Sequence, residues 1–307
     1  MKVCFVILHY MSEQVTEMCV SSLLKLDDIE ECGILVYDNG SNNGSFEKLK
    51  NKFQKAKNIY WKKSTQNLGF SEGNNRAYKI ARGYSPKFIA FLNNDIEIKQ
   101  KKFVSILDKE YKNNDFPYII GPDIYNPRMK EHQSPMSKDI ITLGEVKERI
   151  KNEENRINKV DEIVETYKHA AKMRKIKRYV PTPLLEIRDK VLHKEVHTLY
   201  KNKKLENAVL QGSCIIATEK YISQEDVMFE PDTTFYAEEL LLALKCKTLR
   251  YNTLYTSRLH VIHRHGMSSG FNDIPSIEAL KTKGKRLIHA YSIYERTLVD
   301  NPWKDYR

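Results

Sequence analysis

The chain has 307 residues, of which 41% are hydrophobic and 30% charged, with a formal net charge of +11 at pH 7. That length suffices for one large domain or two modest ones with a full core, and no apolar run approaches the ~20 residues a membrane-spanning helix needs. No membrane-spanning helix is therefore expected in these residues, and the positive charge admits nucleic acid, an anionic membrane surface or phosphorylated small molecules as partners.

The apolar start, Val3-Cys4-Phe5-Val6-Ile7-Leu8, has neither a basic leader nor a small-residue cleavage site. It reads as a buried first strand rather than a signal peptide, and a cytoplasmic location is the expectation. The 5 cysteines, Cys4, Cys19, Cys32, Cys214 and Cys246, are scattered without a Cys-x-x-Cys pair. Their odd count and apolar settings predict reduced, buried thiols rather than disulfides or a zinc site.

In chain order, the pattern predicts a strand over 2–9 and a helix over 12–25, with Val15, Met18, Cys19, Leu23 and Leu24 on its apolar face. A short apolar strand over 33–37 ends in the turn cluster Asp38-Asn39-Gly40-Ser41-Asn42-Asn43-Gly44-Ser45. Helices over 46–56, 72–82 and 100–113 then alternate with strands over 59–62, 87–92 and 118–121. Strands and helices that alternate at such intervals predict a parallel, doubly wound sheet.

Beyond residue 127 the texture changes. Residues 139–178 are polar and helical in propensity, Pro181 and Pro183 close them, and 184–206 continue as charged helix or loop. Lys168, Lys172, Arg174, Lys175, Lys177 and Arg178 form a basic run. Such a run is a solvated helix face or a contact for anionic lipid, where each cation contributes about 1 kcal/mol. No nucleic-acid module accompanies it, so nucleic acid is not the expected partner. Apolar residues return from Ala208, with a helix over 237–247, strands over 249–254 and 259–262, and an amphipathic helix over 275–297.

Several constellations carry chemistry. Asn67-Leu68-Gly69-Phe70-Ser71-Glu72-Gly73-Asn74-Asn75-Arg76-Ala77 is a glycine-bearing loop that opens a helix, where a phosphate can meet backbone N–H groups. The apolar strand after it ends in Asn93-Asn94-Asp95, which suits a metal at a strand's carboxyl end beside a bound nucleotide. Tyr10 and Asp38 stand at the ends of the first two strands; Asp38 either accepts from a base N–H or ribose hydroxyl, or caps its own turn. Glu238 and Glu239 open a predicted helix, as a proton-accepting pair or as acids complementing the helix dipole. In His260-Val261-Ile262-His263-Arg264-His265-Gly266-Met267-Ser268-Ser269, alternate histidines on a strand share a face, so His263 and His265 could converge.

The loop at 67–75 closely resembles the Asn-x-Gly-Phe-x-x-Gly-Asn-Asn signature of the rhamnosyltransferase-like branch of family-2 glycosyltransferases. The resemblance covers about residues 2–127 and 208–270. It implies an α/β GT-A nucleotide-diphospho-sugar transferase fold: a Rossmann-like, mixed but mostly parallel sheet with a helical insertion and C-terminal helices. It further implies a catalytic domain over 1–270, interrupted at about 138–207 by the basic insertion, and a helical tail over 271–307.

By the same resemblance, Tyr10, Asp38, Asn67, Gly69, Asn74, Asn94 and Asp95 line the donor pocket. Asp95 and His263 hold Mn²⁺ or Mg²⁺, with Arg264, His265 or Ser268 on phosphate oxygens, and Gln211 and Gly212 lie on the acceptor side. Glu239, in the register where the family carries Asp, is implied as the base that deprotonates the acceptor, with Glu238 as its rival. The implied reaction is inverting transfer from a nucleotide-diphosphate sugar, UDP- or dTDP-linked by preference, to a glycan or lipid-linked glycan hydroxyl, possible at an anionic membrane surface. A catalytically silent scaffold of the same fold is the alternative. A nucleotidyltransferase would carry a glycine-rich, basic loop after the first strand, and residues 9–15 contain none.

Overall fold

The computed structural model describes residues 1–177, 203–264 and 276–304. Its strands, in chain order, are β1 (Val3–His9), β2 (Cys32–Asp38), β3 (Ile59–Lys63), β4 (Phe88–Asn93), β5 (Ile96–Glu97), β6 (Ile119–Asn126), β7 (Glu131–His132), β8 (Lys204–Glu206), β9 (Cys214–Thr218) and β10 (Thr253–His263). The helices are α1 (Glu13–Leu23), α2 (Ser45–Lys52), α3 (Gly69–Arg82), α4 (Phe103–Asn113), α5 (Leu143–Asn158), α6 (Val160–Lys177), α7 (Glu219–Gln224), α8 (Glu238–Leu249) and α9 (Ile277–Asp300).

The strands form one 10-stranded sheet in the order β3-β2-β1-β4-β9-β6-β10-β5, with β7 on β6 and β8 on β10. β1, β2 and β4 are apolar on both faces because helices cover both. On one face Cys19, Val20 and Leu23 of α1, Phe46 of α2 and Phe103, Val104 and Leu107 of α4 pack against Phe5, Ile7 and Ala90. On the other, Ala77, Tyr78 and Ala81 of α3, Tyr221 of α7 and Leu242 of α8 pack against Val6, Leu35 and Phe91.

β1 through β4 are mutually parallel, but β9 runs antiparallel to both β4 and β6. The sheet is therefore mixed, not wholly parallel as strand–helix alternation alone predicts. The strands expected over 249–254 and 259–262 are one strand, β10, whose register shifts between Thr256 and His260. A bulge of this kind breaks the alternation that marks a strand. The end of α8 reaches Leu249, and Arg250 (φ 57°) turns the chain into β10. Strands as short as β5, β7 and β8 show no periodicity and leave no mark in the sequence. The 5 cysteines are free and buried.

α5 opens on a capping box in which Thr142 and Glu145 satisfy each other's backbone N–H groups. It packs along α9, where Gly284 gives Ile157 room: a Cβ at 284 would lie 2.6 Å from Ile157 Cγ1. The Tyr294 hydroxyl donates to Ile141 O at 2.9 Å. Val146 of α5 and Ala290, Ile293 and Tyr294 of α9 join Leu240, Leu241 and Leu244 of α8 in a third core. α5 and α9 thus buttress the helix that carries Glu238 and Glu239. Of the basic run, Arg178 lies outside the described residues, as do 179–202. Among the described residues no helix is long and apolar enough to cross a membrane.

Candidate active site

The carboxyl ends of β1, β2 and β4 meet at one rim of the sheet. Asp38 ends β2 fully buried, and its Oδ1 accepts from Ser41 N (3.0 Å) and Ser41 Oγ (2.6 Å). Its Oδ2 accepts no hydrogen bond among the described residues and lies 3.5 Å from Lys63 Nζ. A buried carboxylate oxygen without a hydrogen bond is costly, and it suits a donor from a ligand. Tyr10, beside it at the end of β1, is 45% exposed.

The signature loop is held by Asn39, which in the sequence is only one member of a turn cluster. Asn39 Nδ2 donates to Asn67 Oδ1 (3.1 Å) and Gly69 O (2.9 Å), and its Oδ1 accepts from Leu68 N (3.0 Å). Asn67 Oδ1 also accepts from Gly69 N at 2.9 Å. Gly69 has φ +79°, and a Cβ there would sit 2.8 Å from Thr234 O. Asn74 is buried and donates to Phe70 O at 3.0 Å. Asn67, Gly69 and Asn74 therefore shape the loop from within.

The same loop grips the segment leading to the two glutamates. Phe70 N donates to Thr234 O (2.9 Å), and the hydroxyls of Ser71 and Thr233 lie 2.8 Å apart. Asn75 accepts from Met228 N and Phe229 N, both at 3.0 Å, and donates to Phe229 O at 2.8 Å. The spacing of a glycine-bearing helix start gave no hint of this long-range role.

At the end of β4, Asp95 is buried, and its Oδ1 lies 3.2 Å from His263 Nε2. Arg264 N donates to Asp95 O at 2.8 Å, which fixes β10 against this turn. His263 Nδ1 lies 2.7 Å from Gln133 Oε1, and Gln133 Nε2 donates to Glu131 Oε1 at 3.1 Å. Gln133 thus turns its carbonyl to His263 and holds the ring proton on Nδ1, leaving Nε2 aimed at a carboxylate. Two such groups suit a cation between them, and a histidine held through its other nitrogen is the usual metal-ligand arrangement. The oxygen and imidazole donors fit Mn²⁺ or Mg²⁺. Among the described residues no three His, Cys, Asp or Glu side chains converge on one point, so substrate oxygens would have to complete the shell. Asn94, half-buried, donates to Thr16 Oγ1 at 3.2 Å. The Arg264 guanidinium pairs with Glu97 Oε2 (2.7 Å), tying β10 to β5, instead of standing clear for a phosphate. His265 and Ser268 lie outside the described residues.

The acids at α8 adjoin this rim. Asn93 N donates to Ser213 O at 2.9 Å, and the next residue back, Gly212, donates its N–H to Glu239 Oε1 at 3.1 Å. Gln211 Oε1 accepts from Ser213 N at 2.8 Å and so closes this turn. Tyr236 (φ 72°) and Ala237 (φ 60°) are both left-handed, an uncommon conformation for residues with side chains. They aim the helix start into the sheet. Burial, then repulsion from Glu239, pushes the Glu238 carboxyl up to about 8. Burial also raises Glu239, against the lowering pull of its own backbone N–H and that of Gly212.

The family model for glycosyl transferase family 2 matches residues 4–177, more than half of the chain. The chain belongs to glycosyl transferase family 2. The match takes in the signature loop and Asp95; His263 and the two glutamates lie beyond it. A search of curated proteins finds no match.

Solved structures similar to this family-2 chain include residues 1–349 of S. aureus TarS in complex with UDP, at 14% identity and TM-score 0.53, over 85% of this chain and 60% of that one. Another is the mannosyltransferase PcManGT from Pyrobaculum calidifontis in complex with GDP-Man and Mn²⁺, at 10% identity and TM-score 0.52, over 97% of this chain and 73% of that one. The chain thus spans less than two thirds of the TarS chain. The fold they share is GT-A: helices on a mixed, mostly parallel sheet.

Proposed function

We propose that the protein is an inverting, divalent-ion-dependent glycosyltransferase that moves a sugar from a nucleotide-diphosphate donor to an acceptor hydroxyl. The observation that carries this reading is the approach of His263 Nε2 to Asp95 Oδ1 at 3.2 Å, with Gln133 holding the other ring nitrogen. Asp95 and His263 would hold the ion, which when bound neutralises the charge of the departing diphosphate. Asp38 Oδ2 accepts a hydrogen bond from the base or ribose, and Tyr10 and Asn94 border the same pocket.

Glu239 takes the proton of the acceptor hydroxyl, whose oxygen attacks the anomeric carbon opposite the leaving diphosphate and so inverts it. A carboxyl raised by burial is a stronger base near neutral pH. Gln211 and Gly212, which carries the hydrogen bond to Glu239, form the acceptor side. The neighbours solved with UDP and with GDP-Man and Mn²⁺ support a nucleotide-sugar donor and a metal. UDP- or dTDP-linked hexoses or deoxyhexoses are the donors we favour, on the rhamnosyltransferase-like wording of residues 67–75. The acceptor we infer is a glycan or lipid-linked glycan of a surface polysaccharide, met at the cytoplasmic face of the membrane, where the basic run would face anionic lipid.

The test is a thermal-shift panel of UDP-, GDP- and dTDP-sugars, each with and without Mn²⁺, on wild type and Asp95→Ala. A shift for one nucleotide that needs Mn²⁺ and is lost in the variant is the expected result. No shift with any of them would sink the donor site and leave a silent scaffold.

A further inference from the structure

Beneath the rim, a buried chain of hydrogen bonds joins the two halves of the donor site. Asn94 Nδ2 donates to Thr16 Oγ1 (3.2 Å), Thr16 Oγ1 lies 2.7 Å from His9 Nδ1, and His9 Nε2 lies 2.9 Å from Ser45 Oγ. Thr16 and His9 are fully buried and Ser45 almost so. A neutral imidazole donates from one ring nitrogen and accepts at the other, and each hydroxyl partner can take either part. Thr16 Oγ1 accepts from Asn94 Nδ2 and keeps a second lone pair and its own hydrogen, either of which serves His9 Nδ1. Burial lowers the pKa of His9, which favours the neutral ring.

Each end of the chain adjoins a different part of the site. Ser45 closes the turn that begins at Asp38, and Met11 N donates to Ser41 Oγ at 2.8 Å to hold that turn to β1. Asn94 precedes Asp95. Asn39 N donates to His9 O at 2.8 Å, so the backbone of His9 holds the nucleotide side while its ring reaches toward the metal side.

We propose that His9 and Thr16 are positioning residues that couple the nucleotide-side turn at 38–45 to the metal-side turn at Asn94–Asp95, so that nucleotide and divalent ion bind cooperatively. The proposal rests on the donor-site reading above. Both are fully buried, so neither opens onto the rim. They set the spacing between the Asp38 and Asp95 carboxylates, because one buried imidazole is bonded at one nitrogen toward each turn. Coupling of this kind is a ratio of affinities and works in both directions.

The experiment is calorimetric titration of UDP, GDP and dTDP, each with and without MnCl₂, on wild type, Thr16→Val, Thr16→Ser and Ser45→Ala, with melting curves alongside. Valine keeps the shape of threonine and removes its hydroxyl; serine keeps the hydroxyl. The expected result is that Mn²⁺ tightens nucleotide binding in wild type and in Thr16→Ser. In Thr16→Val and Ser45→Ala that gain falls by about tenfold, the equivalent of one buried hydrogen bond. Should Thr16→Val fail to fold, Ser45→Ala cuts the chain at its other end and answers the same question. An unchanged Mn²⁺ gain in the folded variants overturns the coupling while leaving the donor site intact. A wild type that binds none of the three nucleotides overturns the donor site itself, and the coupling with it.

Discussion

The backbone N–H of Gly212 donates to Oε1 of Glu239 at 3.1 Å, and a Cβ at position 212 would lie 2.5 Å from that same oxygen. The glycine thus both anchors the carboxylate and leaves it room. The absent side chain at 212 lets Glu239 seat against the turn.

Gly212→Ala should therefore move the carboxylate while sparing the fold, since the clash is with the end of a flexible side chain. Catalytic geometry is sensitive to displacements of about 1 Å, which can lower the rate about 10²-fold. The expected outcome is a kcat reduced by about that factor with nucleotide affinity unchanged, read by steady-state transfer and titration of UDP. Wild-type turnover in Gly212→Ala would remove Glu239 from the base's role.

Much of this arrangement is legible in the sequence, and the illegible part has a common cause. β1, β2 and β4 are apolar throughout and declare themselves, and the loop at 67–75 carries enough glycine and asparagine to mark a tight, side-chain-bonded turn. Asp95 follows because it ends an apolar strand. Gln133 gave no signal, because its role depends on the β6–β7 pairing that brings it to His263. Asn75 looked like part of a helix start, yet its partners are Met228 and Phe229, more than 150 residues away in sequence. Antiparallel β9 and the bulged β10 are set by tertiary pairing, which local periodicity does not encode.

Gln133 gives a test of the metal site that leaves Asp95 and His263 in place. Removal of the group that orients a ligating histidine commonly lowers metal affinity 10- to 100-fold. Gln133→Ala should weaken Mn²⁺ binding in the presence of UDP by about that range, and His263→Ala should weaken it further. The comparison is made by titrating MnCl₂ and following calorimetry or the paramagnetic signal of free Mn²⁺. An affinity in Gln133→Ala equal to wild type would show that the ring needs no such support.

Asn75 should matter for stability more than its place on a helix suggests. Its amide satisfies two backbone N–H groups and one carbonyl of the segment that leads to Glu238 and Glu239. Leaving a buried polar group unpaired costs about 1–3 kcal/mol. Asn75→Ala should lose about 3 kcal/mol in urea unfolding, and hydrogen exchange at residues 228–234 should accelerate. A loss below about 1 kcal/mol would mean that the segment is held chiefly by Phe229 packing against Phe70 and Phe91.

Glu238 carries a pH signature whose sign is fixed by the direction of its shift. Burial, then the neighbouring Glu239, raises its carboxyl from 4.5 to about 8. Between those values the folded protein holds a proton that the unfolded chain has released. Stability is therefore full below the unfolded pKa and falls as pH rises toward the folded one. At pH 7 the penalty is on the order of 3 kcal/mol. Glutamine copies the protonated carboxyl in shape and charge, so Glu238→Gln should melt several degrees higher than wild type at pH 7 to 8. At pH 4.5 the two should melt together. Scanning calorimetry across that range reads the difference directly, and a gain confined to the acid end would mean that Glu238 is ionised in the folded protein.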